Sequence, residues 1–164
     1  ARRGQVTVDP AAAGIGAAIG MAGDLILASD TAFFMQAFRR IGLVPDGGSA
    51  FLLVHAIGRA RAMELMMLGE RLPAAQALAW GLINRVVPAG KLLEEAMAVA
   101  RSLADGPTRA LANIRKLGWQ AAESSYAESL AAERALQSDM GRTHDHREGI
   151  AAFLAKRPAI FSGS

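Results

Sequence analysis

The sequence predicts an α/β fold, with strands and short helices in the first half and a helical second half. Three observations carry this. Gln5-Val6-Thr7-Val8 and Asp24-Leu25-Ile26-Leu27-Ala28-Ser29 are apolar runs joined by a small-residue stretch short enough for one helical crossover between parallel strands. Glycine stops at Gly58, Gly69 and Gly81, with a helix-opening Pro73 and Pro107, then punctuate a series of helices. After Pro88 no strand-like run remains.

Taken in order, residues 5–8 read as a strand, 9–13 as a turn and 14–22 as a tightly packed helix. Residues 24–29 form a second strand, ended by the turn-forming Ser29-Asp30, and 32–35 a third. Residues 38–41 make a single turn before the loop Gly42-Leu43-Val44-Pro45-Asp46-Gly47-Gly48. Helices follow at 49–57, 59–68 and 73–80, and the last strand at 82–87. Four more helices cover 90–104, 107–121, about 125–140 and about 144–156, with Thr143 the N-cap of the last. Residues 1–88 are thus the strand-bearing part and 89–164 a helical subdomain.

At 164 residues, 52% hydrophobic and 20% charged, the chain is long and apolar enough to bury a core. Aromatics are scarce, so that core is built largely from Ala, Leu, Ile, Val and Met, and nothing suggests a platform for stacked bases. The net charge of +3 is spread among interspersed acids and bases, which disfavours nucleic acid as a partner. With no cysteine there is no disulfide framework, thiol nucleophile or thiolate zinc site, which fits a cytoplasmic protein. Asp9 and Asp24 bracket the apolar residues 11–22 too closely for a membrane span. Ala1-Arg2-Arg3-Gly4 places positive charge before an apolar stretch, but Asp9 and Pro10 interrupt it, so it does not read as a signal peptide. A start without Met, just before a strand, reads as that of a fragment or a processed chain.

Two stretches concentrate chemistry. The first is Ala11-Ala12-Ala13-Gly14-Ile15-Gly16-Ala17-Ala18-Ile19-Gly20. Gly14 and Gly16 allow a tight turn into a helix whose first N–H groups have no intrahelical partner, a setting for an anion or oxyanion. A buried helix without ligand is the plain alternative. The third glycine falls one residue late for a dinucleotide fingerprint, and Phe33-Phe34-Met35-Gln36 lacks the acid that would hold a ribose. The second stretch holds Asp46 in its Pro/Gly loop. A carboxylate there can be partly desolvated and tuned for acid–base work. It can also cap the helix that follows, and the pattern alone favours the cap.

The remaining candidates have bland readings. His144-Asp145-His146 reads as a solvated helix start rather than a metal site, since alternate helical positions face apart. No G-x-S-x-G elbow surrounds any serine. Met63, Met66 and Met67 read as core packing. Lys156 and Arg157 read as a solvated basic helix end or as phosphate ligands.

In this order the landmarks resemble the crotonase (enoyl-CoA hydratase/isomerase) superfamily. The matching stretches are AAAGIGAAIGMAGDLILASDTAFF, FRRIGLVPDGGSAFLL, IGRARAMELMMLGERLPAAQALAWGLINRVVP and REGIAAFLAKRPAIF. The resemblance implies a spiral ββα fold with a C-terminal helical trimerisation subdomain, in a homotrimer or dimer of trimers. It implies an acyl-CoA substrate and no cofactor beyond the coenzyme A of that substrate. It implies an enolate held by backbone N–H groups, one of them that of Ile15, with Gly14, Gly16 and Phe38 contacting substrate. Phe153 and Lys156 would help hold the coenzyme A of a neighbouring subunit.

The departures from the family pattern are informative. Hydratases carry one glutamate just beyond the glycine turn and another four residues before the glycine of the I-G-L element. Ala18 and Phe38 stand at those positions here. Asp46 falls where some enoyl-CoA isomerases carry their acid/base carboxylate, as in the branch that includes the phenylacetate-pathway ring-epoxide isomerase. This makes Asp46 the expected catalytic group and double-bond isomerisation the expected reaction. Asp9-Pro10 replaces the usual Asn-Gly or Asp-Gly ahead of the turn. The family's N-terminal portion, source of the other oxyanion donor, has no counterpart, so the chain alone is expected to be inactive. A non-catalytic acyl-CoA-binding or structural subunit is the alternative.

Overall fold

The computed structural model describes residues 4–164. Arg2 and Arg3, on which the leader reading rests, lie outside the described residues. The chain divides into two compact units, the first running to Met97 and the second from Ala98 to Ser164.

The first unit is a spiral of strand–strand–helix turns. β1 (Gln5–Val8), β2 (Ala11–Ala13) and α1 (Ile15–Met21) make one turn. β3 (Leu25–Ser29), β4 (Phe33–Met35), a 3-10 turn at Ala37–Ile41 and α2 (Ser49–Leu68) make the next. β5 (Arg71–Pro73), α3 (Ala74–Trp80) and β6 (Arg85–Val87) follow. The strands sort into two three-stranded sheets, ordered β1-β3-β6 and β2-β4-β5. β3 runs parallel to both its neighbours, whereas β4 is parallel to β2 and antiparallel to β5. The parallel pairing of β1 with β3 is the crossover that the small-residue stretch predicts.

Two strands escape the sequence. Residues 11–13, expected as turn, are β2, because Ala11, Ala12 and Ala13 pair with Phe33, Phe34 and Met35. Alanine has weak strand preference, so tertiary pairing alone makes this strand. Ser29 Oγ donates to Asp9 Oδ1 at 2.6 Å, tying the bend between β1 and β2 to the end of β3. β5 escapes for a similar reason, being three residues long and ending in Pro73. The last strand begins at Arg85 rather than at residue 82. Asn84 instead exchanges two bonds with Ile26: its Oδ1 accepts from the Ile26 N–H at 2.7 Å and its N–H donates to the Ile26 carbonyl at 3.0 Å.

Gly58 acts as a kink within α2 rather than a stop. Its φ of 76° and ψ of 159° interrupt the helical backbone, which resumes and ends at Gly69. One core cluster joins both sheets to α1, α2 and α3, with Phe34, Leu53, Leu65 and Leu72 among its buried members. Met66 packs against it, but Met63 and Met67 are exposed. The buried stripe of α2 is taken by Ala62 and Leu65, which turns those two methionines outward and corrects the core expectation for them.

α4 (Leu92–Ala104) lays Leu92 and Ala96 on Leu27. The second unit then carries α5 (Thr108–Ala121), α6 (Tyr126–Met140) and α7 (His144–Leu154). Ser125 and Glu128 form a reciprocal capping box at the start of α6. Ser125→Ala is expected to cost about 1 kcal/mol of stability, read by urea unfolding. Thr143 caps α7 as expected, its Oγ1 accepting the His146 N–H at 3.1 Å.

Candidate active site

The glycine turn lies where β2 gives way to α1. Gly14 adopts φ 54° and ψ −125°, a backbone state that only glycine enters readily. Its N–H belongs to the sheet, donating to the Met35 carbonyl at 3.0 Å. Its carbonyl accepts from Ala17 and Ala18, the first intrahelical donors. The N–H groups of Ile15 and Gly16 stand ahead of them, at the positions where a helix has no internal acceptor to offer. The small residues let α1 sit low: a Cβ on Gly20 would stand 3.6 Å from Val8 Cγ2 and 3.9 Å from Ala12 Cβ.

Two other segments converge on this turn. A Cβ on Gly14 would lie 3.9 Å from Phe38 Cζ, so the half-buried Phe38 ring borders the turn. The Asp46-Gly47 loop approaches more closely still. A Cβ on Gly47 would come 2.5 Å from Ile15 Cδ1 and 2.9 Å from Ala18 Cβ. Gly14, Ile15, Phe38 and the residue following Asp46 are therefore neighbours. The closeness of Gly47 and Ala18 had no signal in the sequence beyond the smallness of both.

Asp46 itself differs from expectation in two ways. It does not cap α2: the N-cap is Gly48, which has no side chain to offer. The Asp46 carbonyl accepts from the Ser49 N–H at 3.2 Å and from Ser49 Oγ at 2.7 Å, while its Oδ1 accepts the Gly47 N–H at 2.6 Å. Nor is it desolvated: Asp46 is exposed, as are Leu43, Val44, Gly47 and Gly48 around it. The loop meets α1 at Gly47 and is otherwise open rather than enclosed.

Phe153 and Lys156 lie in the second unit, both exposed, with Lys156 in the left-handed region at φ 51°. Arg157 is exposed, as a solvated helix end would be, but it is also paired. It forms a two-pronged pair with Glu148, at 2.7 and 2.8 Å, and Glu148 also accepts the Ile160 N–H. The start of α7 also departs from the solvated reading, for Asp145 is buried between the exposed His144 and His146. Its two oxygens accept the N–H groups of Ser162 at 2.8 Å and Gly163 at 2.9 Å. Two carboxylates thus clamp the C-terminal segment onto α7. Among the described residues, no group of three His, Cys, Asp or Glu side chains is placed to hold a metal, and no helix is long and apolar enough to cross a membrane. An apolar groove of about 870 Å³ lies between α5, α6 and α7, with Ile114, Leu136, Phe153 and Phe161 among its walls.

The clamp carries a pH dependence. Hydrogen bonds from Arg157 and the Ile160 N–H lower the Glu148 carboxyl from 4.5 to about 2. Hydrogen bonds, that from the Ser162 N–H foremost, lower Asp145 below 3.8. A depressed folded value means that the contribution is complete above pH 4.5 and is lost as pH falls through about 2. Amide exchange at Ile160 is expected to stay slow above pH 4.5 and to accelerate, relative to the intrinsic rate, as pH falls toward about 2. Exchange at Ser162 and Gly163 follows Asp145 and is expected to accelerate only below pH 3.8.

A family model described as Enoyl-CoA hydratase/isomerase matches residues 6–164. The chain belongs to this family. It is 43% identical over 156 residues to the 1,2-epoxyphenylacetyl-CoA isomerase of Escherichia coli (strain K12), covering 95% of this chain and 60% of that protein. It is 37% identical over 158 residues to the trans-2-decenoyl-acyl-carrier-protein isomerase of Streptococcus mutans, covering 96% and 60%. The crystal structure of an enoyl-CoA hydratase from Polaromonas sp. JS666 superposes with a TM-score of 0.92 at 37% identity, covering 96% of this chain and 62% of that one. The chain spans about three-fifths of the length of these relatives. Its α/β architecture is the crotonase fold. Within this crotonase-family chain the glycine turn, the Phe38 ring and the Asp46 loop all come from the first unit.

Proposed function

We propose that the whole protein acts on an acyl-CoA thioester and moves its double bond from the 3,4 to the 2,3 position. The observation that supports this most is the seating of the Asp46-Gly47 loop on the start of α1. It brings one carboxylate-bearing residue to the turn whose Ile15 N–H is free of helical bonding, while Ala18 and Phe38 offer no second acid or base. In this reading the thioester oxygen accepts the Ile15 N–H. Asp46 takes the proton from C2, and the electron pair of that C–H bond enters the dienolate. Asp46 then returns the proton to C4, leaving the double bond at C2–C3. Gly14 and Gly16 let the thioester approach the backbone, and Phe38 gives the pocket an apolar wall against water. No cofactor is needed beyond the coenzyme A of the substrate.

We place the protein in a homotrimer or dimer of trimers, in which Phe153 and Lys156 help hold the coenzyme A of a neighbouring subunit. A second reading, a non-catalytic acyl-CoA-binding or structural subunit, is favoured by the exposure of Asp46 and by its bond to the adjacent Gly47 N–H. Full-length protein offered 3-hexenoyl-CoA separates the two. Turnover to the conjugated 2-enoyl thioester is expected; saturable binding without turnover would establish the second reading.

A further inference from the structure

Asp46 is followed by two glycines, both left-handed, with φ 64° at Gly47 and 80° at Gly48. Their surroundings are opposite. A Cβ on Gly48 would meet nothing within 4 Å, whereas one on Gly47 would run into Ile15 Cδ1 and Ala18 Cβ. These two obstacles are also unlike. Ile15 Cδ1 is the far end of a flexible, half-exposed side chain and can swing aside. Ala18 Cβ is one bond from the backbone of α1 and is buried, on a helix seated against Val8 and Ala12 through Gly20. It cannot retreat without moving the helix.

We propose that Gly47 and Ala18 are a positioning pair: the lack of room for a Cβ between the Gly47 backbone and the Ala18 methyl sets how close the Asp46 carboxylate stands to the glycine turn. This rests on the acid–base reading of Asp46. The loop settles onto α1 because residue 47 has no Cβ and residue 18 has nothing beyond one. Adding an atom on either side lifts the loop and carries the carboxylate away from the Ile15 N–H. Neither residue touches the substrate; both act through Asp46.

The test compares Gly47→Ala, Gly48→Ala, Ala18→Val and the double variant Gly47→Ala/Ala18→Gly in the full-length protein, with 3-hexenoyl-CoA as the probe. A displacement of about 1 Å typically costs about 100-fold in rate, so G47A and A18V are each expected to lose about 100-fold in kcat with KM little changed. G48A suffers the same left-handed strain in open space and is expected to lose less than about tenfold. The double variant is expected to recover about tenfold over G47A. A18V leaves both glycine conformations untouched, so it keeps the test alive if G47A does not fold. Equal losses in G47A and G48A, or an A18V kcat at the wild-type level, would overturn the positioning role. Thermal midpoints give a readout independent of chemistry: G47A is expected to fall further than G48A and to be partly restored by A18G. Asp46→Asn measured alongside separates the two claims. Undiminished turnover in D46N refutes the acid–base reading, while a dead D46N beside indistinguishable G47A and G48A refutes the positioning pair alone.

Discussion

Asp46→Asn is expected to slow the conversion of a 3-enoyl-CoA to its 2-enoyl isomer by roughly 10²–10⁴-fold, the usual worth of a positioned general acid–base. Asparagine nearly matches aspartate in shape and keeps an Oδ1 acceptor for the Gly47 N–H, so the loop has no reason to move. What it loses, on the proposed acid–base reading, is the ability to carry a proton between two carbons. The loss should therefore appear in kcat, with KM and the thermal midpoint close to those of the parent protein. A rise in KM with kcat unchanged would make Asp46 a binding residue.

Phe34→Ala is expected to destabilise the first unit by about 3–5 kcal/mol. Phe34 is 1% exposed and lies on β4, between β2 and β5. Removing its ring takes contacts from the core cluster shared by both sheets and leaves a void that short β-strands fill poorly. The next residue, Met35, accepts the Gly14 N–H, so the same lesion loosens the glycine turn. Urea unfolding should show the midpoint falling at nearly constant slope. A loss below about 1 kcal/mol would mean that the two sheets are held together elsewhere.

Much of this molecule is legible in its sequence because its punctuation is local. Gly69 ends α2, Gly81 follows α3 and Thr143 caps α7, each by chemistry confined to a few residues. The resemblance of the glycine turn and the I-G-L-V-P-D-G-G loop to a known family gave the spiral, which composition and periodicity did not. β2 stayed hidden because three alanines carry no strand signal until Phe33–Met35 lies beside them. The burial of Asp145 stayed hidden because its partners, Ser162 and Gly163, are distant in sequence. At the site, the pattern placed Asp46 in a loop of the right kind but misjudged its role toward α2. A helix cap is a local inference, and here the local competitor, Gly48 in the left-handed region, takes the N-cap position. The closeness of that loop to Ala18 depends on how α1 seats against β1 and β2, which no stretch of sequence encodes by itself.

The most direct measurement is the ratio of isomerisation to hydration in one preparation of the full-length protein, from initial rates with 3-hexenoyl-CoA and 2-hexenoyl-CoA. If Asp46 is the acid–base group, with Ala18 and Phe38 beside the turn offering no second carboxylate among the described residues, double-bond migration should proceed while 3-hydroxyhexanoyl-CoA stays at the level of an enzyme-free control. Formation of the 3-hydroxy thioester as fast as, or faster than, the migrated product would contradict it.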